Sequence, residues 1–300
     1  MARKITARKV VVVSFLVDLL DVITNLVVAL LTGSAVVFSE MAQGIADSIG
    51  SALLVQGERR AARPQDARHP LGYAREAFFW SLLSAVAMLI FGAGLSAWRG
   101  FEQLFDPKPL ETPLLAMAVL VLAVFTNGYA VSLSARKLGL GSGGLRSAFE
   151  SFSQPLVKGA FLRDVIGTFT SIVGLVAMLL YNTLGLTVFD ALGALFAAVC
   201  MAVGSVVLMG QARALITGRS LPADNVRELR EAILADPMVE SVNGLVAIYA
   251  GAFEVLIDAD LDLREDLNTT EIEAVLDSIE SRVRAIMPEI TRVRVLLNSR

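Results

Sequence analysis

Six long apolar runs fill the first two thirds of the chain. They lie at roughly 10–32, 36–57, 77–104, 113–134, 160–181 and 187–212. Each approaches the roughly 20 residues that a helix needs to cross the hydrocarbon core of a membrane. Hydrophobic residues make up 55% of the chain, and the mean hydropathy is +0.65, which is too apolar for an ordinary soluble protein. The pattern predicts an all-α membrane domain of six helices over residues 1–212.

The connections between these runs alternate in charge. Basic residues precede the first run and cluster in the 58–75 loop and around 136–158, whereas the turns at 32–34 and 182–186 contain none. Basic loops of membrane proteins face the cytoplasm. The alternation therefore predicts a multi-pass protein of the cell (inner) membrane, in contact with membrane lipid, with both termini in the cytoplasm.

The remaining residues, 213–300, change from apolar runs to shorter amphipathic patterns. These predict a helix at 224–235, strands near 239–249 and at 253–263, a helix behind a capping box of Asn268 and Glu271, and a strand at 291–297. The order α-β-β-α-β predicts a small cytosolic α+β domain of ferredoxin-like type, with helices on one face of the sheet. Such a small domain buries little surface alone, so we expect it to form a homodimer.

Polar residues interrupt the apolar runs at helical spacing. Gln43 and Asp47 are four residues apart and share one face of the second helix, and Asp164 lies one turn before Thr168 in the fifth. A similar stripe in the first helix consists of Asp18, Asp21 and Asn25. Burying a charge at the centre of a bilayer costs at least about 2.5 kcal/mol. We therefore expect these groups to face a wet cavity, a cation, a proton or one another.

Structural explanations compete with this functional one. Asp18 lies near enough to the cytoplasmic end of its helix to be solvated, and Asp190 is placed to cap the sixth helix. Asn127 is suited to an interhelical hydrogen bond. Arg163, next to Asp164, can pair with a lipid headgroup or with a nearby acid.

Several other classes of function are disfavoured. The single cysteine and the single histidine exclude an intrachain disulfide and a zinc site built from His and Cys clusters. The basic residues are confined to loops that flank the membrane, so no nucleic-acid partner is expected. Two intramembrane acids are also the requirement of an aspartyl protease. Here, however, they lie in "IAD" (45–47) and "LRD" (162–164) rather than in the motifs of such enzymes. We expect the protein not to be an enzyme.

Three segments of the chain resemble the cation diffusion facilitator family. They are the loop "DARHPLGYAREAFFW" (66–80), the helix "SEMAQGIADSIGS" (39–51) and the segment "FDALGALFAA" (189–198). The α-β-β-α-β tail also fits this family. The resemblance implies six helices, a dimer joined through the cytosolic domains, and efflux of a divalent metal cation in exchange for protons. We expect no permanently bound cofactor.

The predicted metal site departs from the pattern of the family. Zinc-carrying members hold the ion between the second and fifth helices, with His or Asp four residues before an Asp in each helix. Here the pairs are Gln43 with Asp47 and Ala160 with Asp164. Oxygen ligands suit Mn²⁺, Mg²⁺ or Fe²⁺ better than Zn²⁺, although the resemblance leaves Zn²⁺ open. If the first helix faces the same cavity, its polar stripe adds further oxygen atoms.

Two weaker sites and one alternative function follow from the same resemblance. Asp66 and His69 match positions that bind a peripheral metal in some members, but Tyr73 replaces a third ligand, and a lone histidine is more often structural. Alternate positions of the second predicted strand carry three acids, Asp258, Asp260 and Asp262. We interpret them as the solvated face of the strand rather than as a metal site. The alternative is a degenerate member that does not transport and acts as a membrane scaffold or regulatory partner.

Overall fold

A helix covers each of the six apolar runs. The computed structural model describes residues 7–137, 155–251 and 254–297, with side chains at 19–136, 161–251 and 254–297. The helices are α1 (Ala7–Thr32), α2 (Ala35–Ala61), α3 (Glu76–Phe105), α4 (Pro113–Lys137), α5 (Pro155–Leu184) and α6 (Val188–Ile216). The side chains of Asp18 and Ala160, and the residue Phe253, lie outside the described residues.

Four of these helices, α3 to α6, are long and apolar enough to cross a membrane. Within α1, the described stretch Leu19–Thr32 is apolar but shorter, and α2 carries Glu40 and Asp47 inside its apolar stretch. Large apolar side chains lie exposed on the outer faces of the helices, for example Leu30, Phe125 and Val199. The chain is therefore a multi-pass membrane protein, while the count of six spans remains a prediction.

The third helix contains one irregular segment. Met88–Gly94 is π-helical, between α-helical segments that end at Ala87 and begin at Leu95. A methyl group added at Gly92 would lie 2.9 Å from the Sδ atom of Met201 and 3.5 Å from the Cβ atom of Ala46. The segment thus packs against α6 and against the turn of α2 that precedes Asp47, and π-bulges are frequent at functional sites.

The chain divides into two compact units. Among the described residues, the first contains those up to Gly57, from Trp80 to Lys137 and from Leu156 to Ala212. The second contains Glu58–Phe79 and the described residues from Arg213 onward. The loop between α2 and α3 therefore packs with the C-terminal elements. Phe78 is fully buried in the hydrophobic core of the second unit.

The second unit has the predicted α-β-β-α-β order. Its elements are α7 (Ala223–Leu234), β1 (Val239–Gly251), β2 (Glu254–Leu263), α8 (Thr269–Ile286) and β3 (Ile290–Leu297). The sheet order is β1-β2-β3, with β1 antiparallel and β3 parallel to β2. The predicted capping box is present: Asn268 Oδ1 accepts from the Glu271 N–H, and Glu271 Oε2 accepts from the Asn268 N–H.

Alternation of burial along β2 explains how this small sheet forms a core. Val255, Ile257, Ala259 and Leu261 are buried and pack in one cluster with residues of α7 and α8. The intervening positions, which include the three acids of this strand, are only partly buried. One face of the central strand therefore lies in the core and the other carries the carboxylates, as the period of two predicts.

Candidate functional site

Helices α2 and α5 run side by side in opposite directions, and their contacts follow one register. Four levels can be identified from side-chain proximities: Val36 with Gly174, Glu40 with Ser171, Gln43 with Gly167 and Thr170, and Asp47 with Arg163. Each step toward the C-terminus of α2 meets an earlier position of α5. The polar residues that the sequence predicts to share a site thus lie along one interhelical seam.

Two glycines allow the two helices to approach closely. Gly167 and Gly174 are seven residues apart and therefore lie on one face of α5. A methyl group added at Gly167 would lie 2.6 Å from Gln43 Nε2, and one added at Gly174 would lie 2.6 Å from Val36 Cγ1. Small residues at such contacts are typical of packed membrane helices.

The first polar level of the seam joins three helices. Ser171 on α5 donates to the Oε2 atom of Glu40 on α2, at 3.1 Å, and the amide of Asn127 on α4 donates to Ser171 Oγ at 2.8 Å. Glu40 is 8% exposed. Asn127 thus makes the interhelical hydrogen bond that its chemistry suggested. This bond is part of a chain of hydrogen bonds from Asn127 through Ser171 to the buried carboxyl group of Glu40.

Gln43 forms the second level. Its Oε1 atom accepts a hydrogen bond of 3.0 Å from Thr170 Oγ1, and the side chain is buried. Thr168, which the sequence suggested as an additional ligand, instead donates to the backbone carbonyl of Asp164, at 3.0 Å. The hydroxyl group that contacts α2 therefore belongs to Thr170, two residues after the predicted Thr168.

Asp47 forms the third level together with an arginine. Its Oδ1 atom lies 3.5 Å from Arg163 Nε, and the Arg163 side chain is only 13% exposed. Arg163 Nη2 also donates to Ser84 Oγ on α3 at 2.6 Å. A methyl group added at Gly50 would lie 2.8 Å from Arg163 Nη1. Of the alternatives for Arg163, a nearby acid is the partner observed, and the guanidinium links α2, α3 and α5.

Asp164 lies at the same level of α5 but has a different neighbour. Its Oδ2 atom accepts a short hydrogen bond from Ser134 Oγ on α4. Consecutive helical residues point about 100° apart. Arg163 therefore contacts α2 and α3, whereas Asp164 contacts α4.

The first helix lies beside this seam. A methyl group added at Gly44 of α2 would lie 2.8 Å from Val22 Cγ2 and 4.0 Å from Asp21 Oδ2. Asn25 Nδ2 donates to the backbone carbonyl of Asp21, at 3.0 Å. The Oδ1 atom of Asn25 is buried and accepts no hydrogen bond from the residues that the structure describes. Asp21 and Asp47 both act electrostatically on Glu40.

Within the described ranges, no group of three or more His, Cys, Asp or Glu side chains is arranged to hold a metal ion. The candidate metal ligands near the seam are therefore of three kinds. They are the carboxylates of Glu40, Asp47 and Asp164, the amide oxygen of Gln43, and the hydroxyl groups of Thr170 and Ser171.

Asp190 caps a different helix from the one predicted. It lies in the first turn of α6, but its carboxylate accepts from Ser34 Oγ at 2.7 Å and from the backbone N–H groups of Ala35 and Val36 at 2.7 and 3.1 Å. It therefore holds the N-terminus of α2 and is fully buried. The sequence could not indicate this role, because 155 residues separate Asp190 from Ala35.

The predicted peripheral pair forms a structured turn. Asp66 Oδ1 accepts from the N–H groups of Arg68 and His69, and Asp66 Oδ2 accepts from the Tyr73 hydroxyl at 2.7 Å. Chiefly because of the Tyr73 bond, the pKa of Asp66 is lowered below 3.8. His69 Nδ1 lies 3.5 Å from Asp66, and its ring packs on Tyr73. Both predicted ligands thus have structural partners in the loop.

A family model described as the cation efflux transmembrane domain matches residues 11–213, which is more than half of the chain. The chain belongs to the cation efflux family, the cation diffusion facilitators. The resemblance drawn from the sequence segments is therefore confirmed. The matched range contains α2 to α5 entirely and all but the outer ends of α1 and α6.

Curated relatives of this cation efflux protein are distant in sequence. The proton-coupled zinc antiporter SLC30A9, mitochondrial, of Xenopus laevis is 27% identical over 90% of this chain and 50% of its own length. Metal tolerance protein C4 of Arabidopsis thaliana is 23% identical over 77% of this chain and 51% of its own. Cation-efflux pump FieF of Shewanella oneidensis is 25% identical over 85% and 82%. The chain spans about half the length of the first two relatives.

The sequence predicted Gln43, Asp47 and Asp164 as ligands but missed the hydroxyl residues that hydrogen-bond to Gln43, Asp164, Glu40 and Arg163. These hydroxyl residues lie inside apolar runs; they are Thr170, Ser171, Ser84 and Ser134. Serine and threonine in helices commonly donate to a backbone carbonyl of their own helix, so their presence alone does not predict a contact with another helix. One signal was available. The glycines of α5 recur on the face that carries Ser171, and such spacing marks the face that a neighbouring helix approaches.

Proposed function

We propose that the chain transports a divalent metal cation by efflux in exchange for protons, and that the cation binds between α2 and α5. The observation that carries the proposal is the antiparallel register of these helices. It brings Gln43 and Asp47 against the turn of α5 that contains Asp164. The family membership and the printed names of the relatives support transport of a metal cation.

Asp47, Asp164 and Gln43 are the proposed ligands. Asp47 keeps 38% of its side chain exposed although it lies within the helical unit, so protein atoms do not enclose its carboxylate. The Gln43 carbonyl oxygen lies one turn away on the same face. Oxygen donors favour Mn²⁺, Mg²⁺ or Fe²⁺. The name of the Xenopus relative gives zinc and proton coupling, which supports Zn²⁺ as the competing choice.

Arg163 places a positive charge beside Asp47, which competes with a cation for this carboxylate. Its Nε atom is buried and makes no hydrogen bond with a described residue, even though it lies 3.5 Å from Asp47. The ion pair is therefore loose. A divalent cation bound to Asp47 shares this carboxylate with the guanidinium or displaces it, and the remaining bond to Ser84 retains the arginine nearby.

Exchange against protons follows from the chemistry of oxygen ligands. A carboxylate must be ionised to bind a metal cation, so cation binding releases protons and protonation releases the cation. Alternating exposure of the seam to the two sides of the membrane would then couple the two flows in opposite directions. That step rests on the family membership.

The proposal includes a topology and an assembly. Six spans with both termini in the cytoplasm follow from the alternating charge of the loops. The protein resides in the cell (inner) membrane, in contact with lipid. The second unit is proposed to join two copies, because a sheet of three strands with two helices buries little surface alone. A reporter fused after Arg300 and detected outside the cell would contradict this topology.

The test of transport is a flux panel in proteoliposomes that contain a pH-sensitive dye. Mn²⁺, Fe²⁺, Mg²⁺, Zn²⁺ and Co²⁺ are supplied one at a time to wild type, Asp47→Asn and Asp164→Asn. Both variants should lose transport, because they remove a charge but keep the shape of the side chain. Asp224→Asn is the control, since this exposed carboxylate pairs with Arg227 at the surface of the second unit.

One observation favours the alternative of a scaffold or regulatory partner that does not transport. The Arg163 guanidinium already lies beside the Asp47 charge, so a carboxylate at this depth does not require a metal for compensation. If the wild type moves no ion of the panel and Asp47→Asn is as well folded as the wild type, the scaffold function replaces transport.

A further inference from the structure

The second unit contains a cavity of about 340 Å³ between the α2–α3 loop and the sheet. The loop contributes Arg63, Gln65 and Arg75, the start of β2 contributes Glu254, and β3 contributes Thr291 and Arg292. This volume lies at the lower end of the roughly 300–1,000 Å³ that is typical of small-molecule sites. The cavity contains none of the proposed cation ligands.

The charges that line the cavity are strongly unequal. Arg63, Arg75 and Arg292 face the single carboxylate of Glu254, which leaves a net charge of +2. None of these four side chains makes a hydrogen bond or an ion pair with another residue in the described part of the chain. Three arginines from two separate segments therefore line one cavity without a side-chain partner among the described residues.

The walls that hold these arginines are packed and hydrogen-bonded. Ala74 is buried, and a methyl group added at Gly251 would lie 2.6 Å from its Cβ atom, so the loop contacts the end of β1 directly. Asp66 fixes the loop from within by accepting from Tyr73 and from two backbone N–H groups. Phe78 anchors the loop in the core of the sheet. The backbone that frames the cavity is thus held in place, and the three arginine side chains extend from it in exposed positions.

We propose that this cavity binds a dianion that carries a phosphate group. The guanidinium fork matches the geometry of phosphate oxygens and forms bidentate, charge-assisted hydrogen bonds. A charge of −2 balances the net +2 of the walls, and the Gln65 amide supplies a neutral donor. A single carboxylate ligand would leave one positive charge uncompensated.

Two sources offer this chemistry. One is a soluble phosphate or phosphate ester. The other is the phosphomonoester headgroup of a lipid, because Arg75 directly precedes Glu76, where the membrane-spanning helix α3 begins. The shared ligand is the phosphate dianion, and the experiment below separates the two sources.

The experiment is calorimetric titration of the full-length protein, in a neutral detergent, with inorganic phosphate at constant ionic strength. We expect saturable binding to the wild type. Arg292→Gln should weaken it by about tenfold, because one charge-assisted contact is lost. Glu254→Gln should tighten it, because the repelling carboxylate is removed.

Arg294→Gln is the matched control. Arg294 lies two residues further along β3, is exposed and pairs with Asp258, but does not line the cavity. Its replacement should leave the phosphate affinity within about twofold of the wild type. Thermal unfolding of each variant verifies folding, and tighter binding by Glu254→Gln cannot arise from a damaged protein.

Two results would overturn the proposal. One is the absence of saturable phosphate binding to the wild type both in detergent and in phosphatidylcholine nanodiscs. The other is an equal loss of affinity in Arg294→Gln and Arg292→Gln, which would indicate only general surface charge.

Nanodiscs that also contain phosphatidic acid identify the source. If this lipid raises the apparent dissociation constant for phosphate in the wild type, its headgroup occupies the cavity. If the constant is the same with and without phosphatidic acid, the ligand is a soluble phosphate. Both results support the site. Neither depends on metal transport, so failure here and failure of the proposed transport are distinguishable.

Discussion

The helical unit and the sheet of the second unit each pair an aspartate with an arginine, and the two pairs differ in surroundings. Asp47 and Arg163 lie 3.5 Å apart, with 38% and 13% of their side chains exposed. Asp258 and Arg294 lie 3.9 Å apart, with 44% and 64% exposed. Water screens the second pair, so it contributes little. The first pair has a mostly buried arginine and lies between helices, where changes in charge are felt strongly.

The same contrast holds for single carboxylates. Asp190 is fully buried and accepts three hydrogen bonds from the start of α2, whereas the acids of β2 alternate with buried residues and are partly solvated. A carboxylate inside the helical unit therefore organises neighbouring helices, while one on the outer strand face mainly keeps that face polar. The predictions below test this difference.

The largest effect is expected for Asp190→Ala. The change leaves three buried donors without their acceptor, so the free energy of unfolding should fall by about 3 kcal/mol. Unfolding by a denaturing detergent measures the loss. Asp258→Ala is the control and should change the stability by less than about 0.5 kcal/mol, as is usual for exposed positions. Equal losses in the two variants would contradict the distinction between the two regions.

Arg163→Gln should raise the apparent affinity for the transported cation by about tenfold, because a competing positive charge is removed beside Asp47. The measurement is the cation concentration that gives half-maximal flux in proteoliposomes. Arg163→Lys keeps the charge and should remain close to the wild type, and Arg294→Gln on β3 should have no effect. If Arg163→Gln abolishes flux as Asp47→Asn does, the arginine is required to hold the three helices together rather than to compete with the cation.

Removal of the helix cap in the second unit should have a moderate effect. Asn268→Ala removes the acceptor for the Glu271 N–H at the start of α8, which should cost about 1 kcal/mol of stability. The comparison variant is Asn268→Asp, which retains a capping oxygen and should preserve most of it. A loss as large as that of Asp190→Ala would show that this exposed cap carries more of the stability than its surroundings indicate.

Gln43→His should shift the selectivity of transport toward Zn²⁺ by a smaller factor, because imidazole is a softer ligand than an amide oxygen. The shift is measured as the ratio of Zn²⁺ to Mn²⁺ flux. Thr170→Val serves as the control, since it removes the hydroxyl donor to Gln43 without adding a ligand. An unchanged ratio in Gln43→His would remove Gln43 from the site.

The smallest effect concerns the loop turn. The hydrogen bond from Tyr73 lowers the pKa of Asp66 below 3.8, so Tyr73→Phe should raise it back toward that value. The stabilisation from this depressed pKa is complete above pH 3.8, and it is lost as the pH falls through the lower pKa of the folded state. Carboxyl ¹³C shifts during an acid titration measure the change. An Asp66 pKa equal in both proteins would mean that the backbone N–H groups alone hold it down.

Local pattern determined much of this protein. Apolar length fixed the six helices, and a period of two fixed the buried face of β2. The capping box at Asn268 was readable because both partners lie within one turn. Asp47 could be predicted as a site residue because an acid inside an apolar run is costly wherever the neighbouring helices lie, and Gln43 because it lies one turn away on the same face.

Only the tertiary structure decided which partners these groups have. Arg163, rather than a second acid, is the partner described for Asp47, and Thr170 rather than Thr168 meets Gln43. Asp190 caps α2 instead of its own helix. The α2–α3 loop belongs to the second unit and forms the arginine cavity with β3. Periodicity specifies which face of an element is polar, but the register and rotation that bring two distant faces together depend on side-chain packing along the whole interface, such as the contacts of Gly167 and Gly174 with α2.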